Sequence, residues 1–249
     1  LKVMNVKNIK MIIEYKGTRY SGWQRQTNAP TVQGEIEKVL YKVTGQKISV
    51  NGSSRTDAGV HACGKCINFR ADISIPVERL PFALNAHLPK DIAVIDAQLA
   101  HIDFHSRYHA KGKKYVYNIY NRRFPSPIHM DYCWHVAKKL DVQRMREAAQ
   151  YIIGSHDFGA FKSTGASNPS DVRTVYTIEF IENDDMISME ISGKSFLYNM
   201  VRIIMGTLVD VGLGKKNPEE IKDIILSKDR KNAGKTAPAN GLMLKEVYY

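Results

Sequence analysis

Asn51-Gly52-Ser53-Ser54-Arg55-Thr56-Asp57-Ala58-Gly59-Val60-His61-Ala62 is the stretch around which the rest of the chain is organised. A strand-like run, Lys47-Ile48-Ser49-Val50, leads into it. Its two glycines and two serines mark it as a loop, not a regular element. One cation (Arg55), one carboxylate (Asp57) and one imidazole (His61) sit close together in it. Small residues around charged groups let a ligand's backbone come near. Taken by itself the loop also reads as a surface turn in which Asp57 caps the element that follows.

Working outward, residues 10–15 read as a first strand and residues 16–19 as its turn. Tyr20-Ser21-Gly22-Trp23-Gln24-Arg25-Gln26 follows. It is rich in aromatic, amide and guanidinium groups, which suit base stacking and phosphate contacts; a Trp packed on the core is the alternative. Thr31 is a candidate N-cap. Val32, Ile36, Val39, Leu40 and Val43 then recur at helical spacing. Beyond the loop, residues 66–69 read as a strand, 77–85 as a helix and 92–95 as a short strand. Strand, helix, strand, loop, strand, helix, strand is a split βαβ arrangement, as in ferredoxin-like and RNA-recognition folds.

Further on, residues 114–121 read as a strand and 141–153 as a helix with Met145, Ala148, Ala149 and Ile152 on one side. Residues 174–181 and 186–191 form a strand pair around Asn183-Asp184-Asp185. Residues 196–211 form a helix that is apolar nearly all round; 218–226 form another helix, and 242–249 a closing strand. The expected fold class is α+β: two similar split-βαβ (ferredoxin/RRM-like) halves, residues 1–106 and 107–249, with mainly antiparallel sheets and a cleft between them.

The chain has 249 residues, 43% of them hydrophobic and 24% charged, an ordinary globular composition. Its formal charge is +11. Residues 1–106 hold 14 Lys/Arg against 9 Asp/Glu, and residues 107–249 hold 22 against 16, so the halves carry +5 and +6. A chain basic throughout points to a polyanionic partner. The longest apolar run, residues 196–213, is interrupted by Asn199, Arg202 and Asp210 and is not a membrane span. Three cysteines fit a reducing, cytoplasmic setting.

Outside the loop, Arg202 is the most telling residue. An arginine in an all-apolar helix must find an anion. Asp210, eight positions on, lies roughly 12 Å along a helix axis and is a poor partner. Asp57 is the candidate; an arginine reaching solvent at a helix edge is the alternative. Tyr115 and Tyr117 face one side of a strand beside Lys113 and Lys114, either toward an RNA base or into a core. Cys63-Gly64-Lys65-Cys66 lacks the second ligand pair that zinc requires, and His101, His105 and His109 do not lie in a helical sequence, so no metal site is expected. No GxGxxG, GxxxxGK or GxSxG pattern is present, which argues against dinucleotide cofactors, nucleotide-driven chemistry and an esterase-type nucleophile.

Several segments together resemble the TruA-type tRNA pseudouridine synthases. They are Glu14-Tyr15-Lys16-Gly17 with Gly22-Trp23-Gln24-Arg25-Gln26, the loop from Arg55 through Ala62, and Asn85-Ala86-His87-Leu88-Pro89. Phe104-His105-Ser106-Arg107, Lys113-Lys114-Tyr115-Val116-Tyr117, Met200-Val201-Arg202 and Thr236-Ala237-Pro238-Ala239-Asn240-Gly241-Leu242 continue the match in order. Ser54, where the family usually has Gly, and His109 depart from it. The resemblance implies a homodimeric, cofactor-free enzyme that converts uridine to pseudouridine at positions 38, 39 and 40 of the tRNA anticodon stem-loop. It implies that Asp57 is the catalytic nucleophile and that Tyr115 lies against the target base. Arg55 would contact RNA and help hold the flipped nucleotide, and Arg202 would pair with Asp57. Whether the carboxylate attacks C1′ or C6, or acts as a base, stays open. So do two rival readings, an RNA-binding protein without catalysis and a hydrolase using Asp57 and His61.

Overall fold

The computed structural model describes residues 6–165 and 169–249. The elements run β1 (Lys7–Tyr15), α1 (Val32–Thr44), β2 (Asn51–Gly52), β3 (His61–Ala71), α2 (Leu80–Asn85) and β4 (Ile92–Ala100). They continue with β5 (Gly112–Tyr120), β6 (Trp134–His135), α3 (Val142–Gln150), β7 (Gly154–Asp157), β8 (Val172–Asn183) and β9 (Met186–Gly193). Then come α4 (Met200–Gly212), α5 (Glu220–Ser227) and β10 (Leu242–Tyr248). The fold is α+β with mainly antiparallel strand pairing.

The chain divides into two units. One runs through Lys111 and takes back Leu244–Tyr249; the other is Gly112–Met243. The sequence division after residue 106 differs from this at both ends. Lys111 N–H donates to the Tyr248 carbonyl, and Tyr249 OH donates to the Ser106 carbonyl at 2.7 Å. The Tyr249 ring packs on Phe104 beneath the Lys10 ammonium. These contacts tie both the linker and the tail to the first unit.

In the first unit β1 lies between β4 and β3, antiparallel to both, and β2 pairs with the far side of β3. That is the strand order of a split βαβ unit. Ile9, Met11, Ile13 and Tyr15 alternate into the core along β1, as period-2 patterning requires. Val32, Ile36, Val39 and Leu40 bury one face of α1, each contributing about 1.5–3 kcal/mol. Thr31 caps that helix by accepting the Gly34 N–H at 3.2 Å.

Residues 47–50 are not a strand, contrary to expectation. The backbone groups of Val50 are taken by α1 side chains: Glu37 Oε1 accepts the Val50 N–H at 3.0 Å, and Gln33 Nε2 donates to the Val50 carbonyl at 3.2 Å. The stretch 51–62 is also less loop-like than it reads. Asn51–Gly52 pairs with Ile67 and Asn68, and β3 already begins at His61.

In the second unit the order is β5-β9-β8-β7, with β6 parallel to β5. The β8–β9 hairpin turns at Asp184 and Asp185, and Asp184 takes a left-handed φ of 50°. Asp141 caps α3, whose Met145, Ala148 and Ala149 are buried. The helix expected at 196–211 starts later, because Asn199 is left-handed (φ 60°) and stops it from extending backward. Among the described residues no helix is long and apolar enough to cross a membrane.

Candidate active site

Within the first unit, Arg55 and Asp57 lie on a loop that is held by buried neighbours. Ser53 and Thr56 are buried, whereas Arg55 is exposed and Asp57 half-buried. Backbone hydrogen bonds hold the loop. The Trp23 N–H donates to the Thr56 carbonyl at 3.0 Å, the Val60 N–H to the Asp57 carbonyl at 3.2 Å, and the Gly59 N–H to the Tyr20 carbonyl at 3.3 Å. The Thr56 and Tyr15 hydroxyls share a hydrogen bond of 2.7 Å. A loop this constrained presents a carboxylate in one geometry, which is what a reacting group requires.

The flanking aromatic-amide segment orders this loop. Trp23, read from sequence as either a base platform or a core residue, is 2% exposed and belongs to the core. Its neighbours Gln24, Arg25 and Gln26 remain exposed. Arg25 reaches Glu37 at 3.0 Å. Tyr20 OH donates to Asp91 Oδ1, and Arg19 Nε to Asp91 Oδ2, both at 2.7 Å. Burial raises the Asp91 carboxyl, but these two donors outweigh it and hold the group below the ordinary carboxylate range.

His61 is buried and its Nδ1 accepts the Gly17 N–H at 3.0 Å. It is a structural imidazole, which weakens the hydrolase reading. Burial pushes the Cys63 and Cys66 thiols up. His105 and His109 each accept a backbone N–H, from Arg107 and His105 respectively. Among the described residues no three His, Cys, Asp or Glu side chains are grouped to hold a metal ion.

In the second unit, Tyr115 on β5 is 7% exposed, and its ring lies edge-on to Phe196 with centroids 5.3 Å apart. Tyr117 is fully buried and donates to the Pro238 carbonyl at 2.8 Å. Burial raises its phenol, with the Arg202 charge pulling the other way. Arg202 is less enclosed than its helical neighbours. Its Nε donates to the Ala237 carbonyl and its Nη1 to Asn199 Oδ1, both at 2.8 Å. Asn199 therefore spends its side-chain oxygen on Arg202 instead of capping α4. Ala237, within the tail motif Thr236 to Leu242 quoted from sequence, is one of the residues that hold the arginine. Sequence reading placed Asp57 and Arg55 on one loop, and the structure does the same; Tyr115 and Arg202 both belong to the second unit.

Sequence reading overlooked Lys65. It lies on β3 at 0% exposure, donates to the Ser54 carbonyl at 2.5 Å, and has its ammonium 4.4 Å from the Trp23 ring centroid. The available signal was a lysine directly before the strand-like run Cys66-Ile67-Asn68-Phe69.

A family model described as tRNA pseudouridine synthase matches residues 11–109 and 148–249. The tRNA pseudouridine synthase A of Thermoanaerobacter sp. (strain X514) is 50% identical over 244 residues, covering 98% of this chain and all of that protein. That of Acetivibrio thermocellus is 51% identical over 244 residues, with the same coverage of both chains. A solved archaeal box H/ACA sRNP Nop10–Cbf5 complex aligns with 81% of this chain and 43% of its own at 14% identity and a TM-score of 0.36, too distant to carry argument. The rigid carboxylate loop, the ordered motifs and relatives that match end to end lead to one assignment: the chain belongs to the tRNA pseudouridine synthase family.

Proposed function

We infer that the protein isomerises uridine to pseudouridine in the anticodon stem-loop of tRNA, at positions 38, 39 and 40, with Asp57 as the catalytic carboxylate. The observation that carries this is end-to-end similarity to tRNA pseudouridine synthases in a chain whose Asp57 loop is pinned on both sides. In this reading Tyr115 lies against the target base, Arg55 holds the RNA, and Arg202 is the partner of Asp57. The enzyme works as a cytoplasmic homodimer.

The chemistry suits these groups. The N1–C1′ bond breaks, the base turns, and C5 joins C1′. The C5 hydrogen leaves as a proton and N1 ends protonated, so atoms and electrons balance without oxidant, reductant or water. One carboxylate is enough, as a nucleophile or as a general base. The target base must leave the stack to reach it, which calls for an aromatic wall and cations on the backbone. An adjacent arginine favours the ionised carboxylate.

The test is tritium release from tRNA labelled at uridine C5, for wild type and Asp57→Asn. Turnover is expected to vanish in the variant, with tRNA affinity unchanged or slightly tighter because a charge facing phosphates is removed. Substantial pseudouridine formation by Asp57→Asn would falsify the role of Asp57. Absence of pseudouridine with the wild-type protein favours the pure RNA binder, and strand or base release favours the hydrolase.

A further inference from the structure

We propose that Lys65 is a positioning residue for the reaction: its buried ammonium fixes the Arg55–Asp57 loop by holding Ser54 and Trp23 together. This rests on the reading of Asp57 as the catalytic carboxylate.

Lys65 sits near the middle of β3, opposite Ile13 of β1, and is fully enclosed. A lysine ammonium without water is costly unless its donors and charge are met. Here it donates to the Ser54 carbonyl at 2.5 Å and lies over the Trp23 indole at 4.4 Å. Trp23 in turn donates its backbone N–H to the Thr56 carbonyl at 3.0 Å. Ser54 and Thr56 flank Arg55, and Thr56 precedes Asp57. The two carbonyls on either side of Arg55 are therefore tied to one lysine–tryptophan pair.

The surroundings are shaped for that pair. A Cβ on Gly52 would fall 2.6 Å from Trp23 Nε1, so only glycine lets the indole lie against β2. The Ser53 N–H donates to the Cys66 carbonyl at 3.0 Å, which anchors the loop next to Lys65 itself. The acceptor is the backbone carbonyl of Ser54, the residue before Arg55. An apolar side chain of equal length would fill the same space but would leave that carbonyl without its donor. Retaining the lysine thus keeps the loop in one conformation, and a displacement of about 1 Å at a reacting group costs up to roughly a hundredfold in rate.

The experiment measures single-turnover pseudouridine formation, tRNA affinity and thermal midpoint on the full chain, with Asp57→Asn run in parallel. Lys65→Met keeps length and removes donor and charge; Lys65→Gln keeps a donor. Expected for Lys65→Met is a rate about 10- to 100-fold lower, with affinity within about twofold of wild type and no matching loss of thermal midpoint. Lys65→Gln should recover part of that loss, remaining about threefold below wild type. A wild-type rate in folded Lys65→Met overturns the proposal. So does a rate loss that tracks lost affinity or lost stability equally in both, since that is a structural role only. An active Asp57→Asn would instead remove the reading on which the proposal stands, so the two failures are separable.

Discussion

Gly206→Ala is the substitution with the most definite consequence. Gly206 lies inside α4, where alanine is ordinarily better by about 1 kcal/mol. A Cβ built there, however, falls 1.8 Å from the Lys235 carbonyl oxygen and 3.5 Å from the Ala237 nitrogen. Both neighbours are backbone, so no side chain can swing aside. Reaching even 3.0 Å requires the segment 234–237 to move off the helix by at least about 1.2 Å. That segment is bonded to α4 at three points: Gly234 N–H to Thr207 Oγ1 at 2.9 Å, Ala237 N–H to the Arg202 carbonyl at 3.1 Å, and Arg202 Nε to the Ala237 carbonyl at 2.8 Å. Overpacking costs about 1–3 kcal/mol. Stranding the buried Gly234–Thr207 pair adds about 1–3 kcal/mol. After the helix-propensity gain of about 1 kcal/mol, the net loss is about 1–5 kcal/mol. For a chain of this size the thermal midpoint should fall by roughly 2–20 °C. Urea and thermal denaturation measure the loss. Turnover should fall with the displaced Arg202 while tRNA affinity changes less. Gly34→Ala in α1, where the added Cβ meets only Thr31 Oγ1 at 3.0 Å, provides the contrast and should be near neutral. A Gly206→Ala protein as stable as wild type would refute the close approach of segment 234–237 to α4, and with it the account of how Arg202 is oriented.

Tyr115→Phe keeps the edge-on contact with Phe196, so stability and tRNA affinity should stay near wild type. A large fall in turnover with binding intact would assign the hydroxyl a proton-transfer role, and full activity in Tyr115→Ala would remove the residue from the site. Asp91 supplies a pH signature: its carboxyl is held below the ordinary value despite burial, through the bonds from Arg19 and Tyr20. A depressed folded-state pKa contributes stability that is complete above the unfolded value of about 3.9 and is lost as pH falls through the folded one. Thermal midpoints of wild type and Asp91→Asn should therefore differ at pH 7 and converge below about pH 4; a gap independent of pH would show that the ionised form is not what the bonds stabilise.

Much of the architecture is legible in the sequence because it is local. Thr31 as a cap, the first strand, the one-sided faces of α1 and α3, and the Asp184–Asp185 turn each depend on a few neighbouring residues. Short-range backbone and side-chain preferences set them. The split βαβ order and the carboxylate loop follow from their spacing and from the ordered family motifs. What only the tertiary structure decided depends on partners distant in sequence. Residues 47–50 look like a strand, but Glu37 and Gln33, on the helix before them, take the backbone groups of Val50. Trp23 reads as either a base platform or a core residue, and Gly52 opens the space that buries it. Arg202 is visible as a charge in an apolar helix, yet one of its acceptors is the carbonyl of Ala237, thirty-five residues on. Lys65 is an unremarked lysine until β3, Ser54 and Trp23 enclose it. In each case the deciding quantity is the desolvation of a polar or charged group, and that exists only once the chain has closed around it.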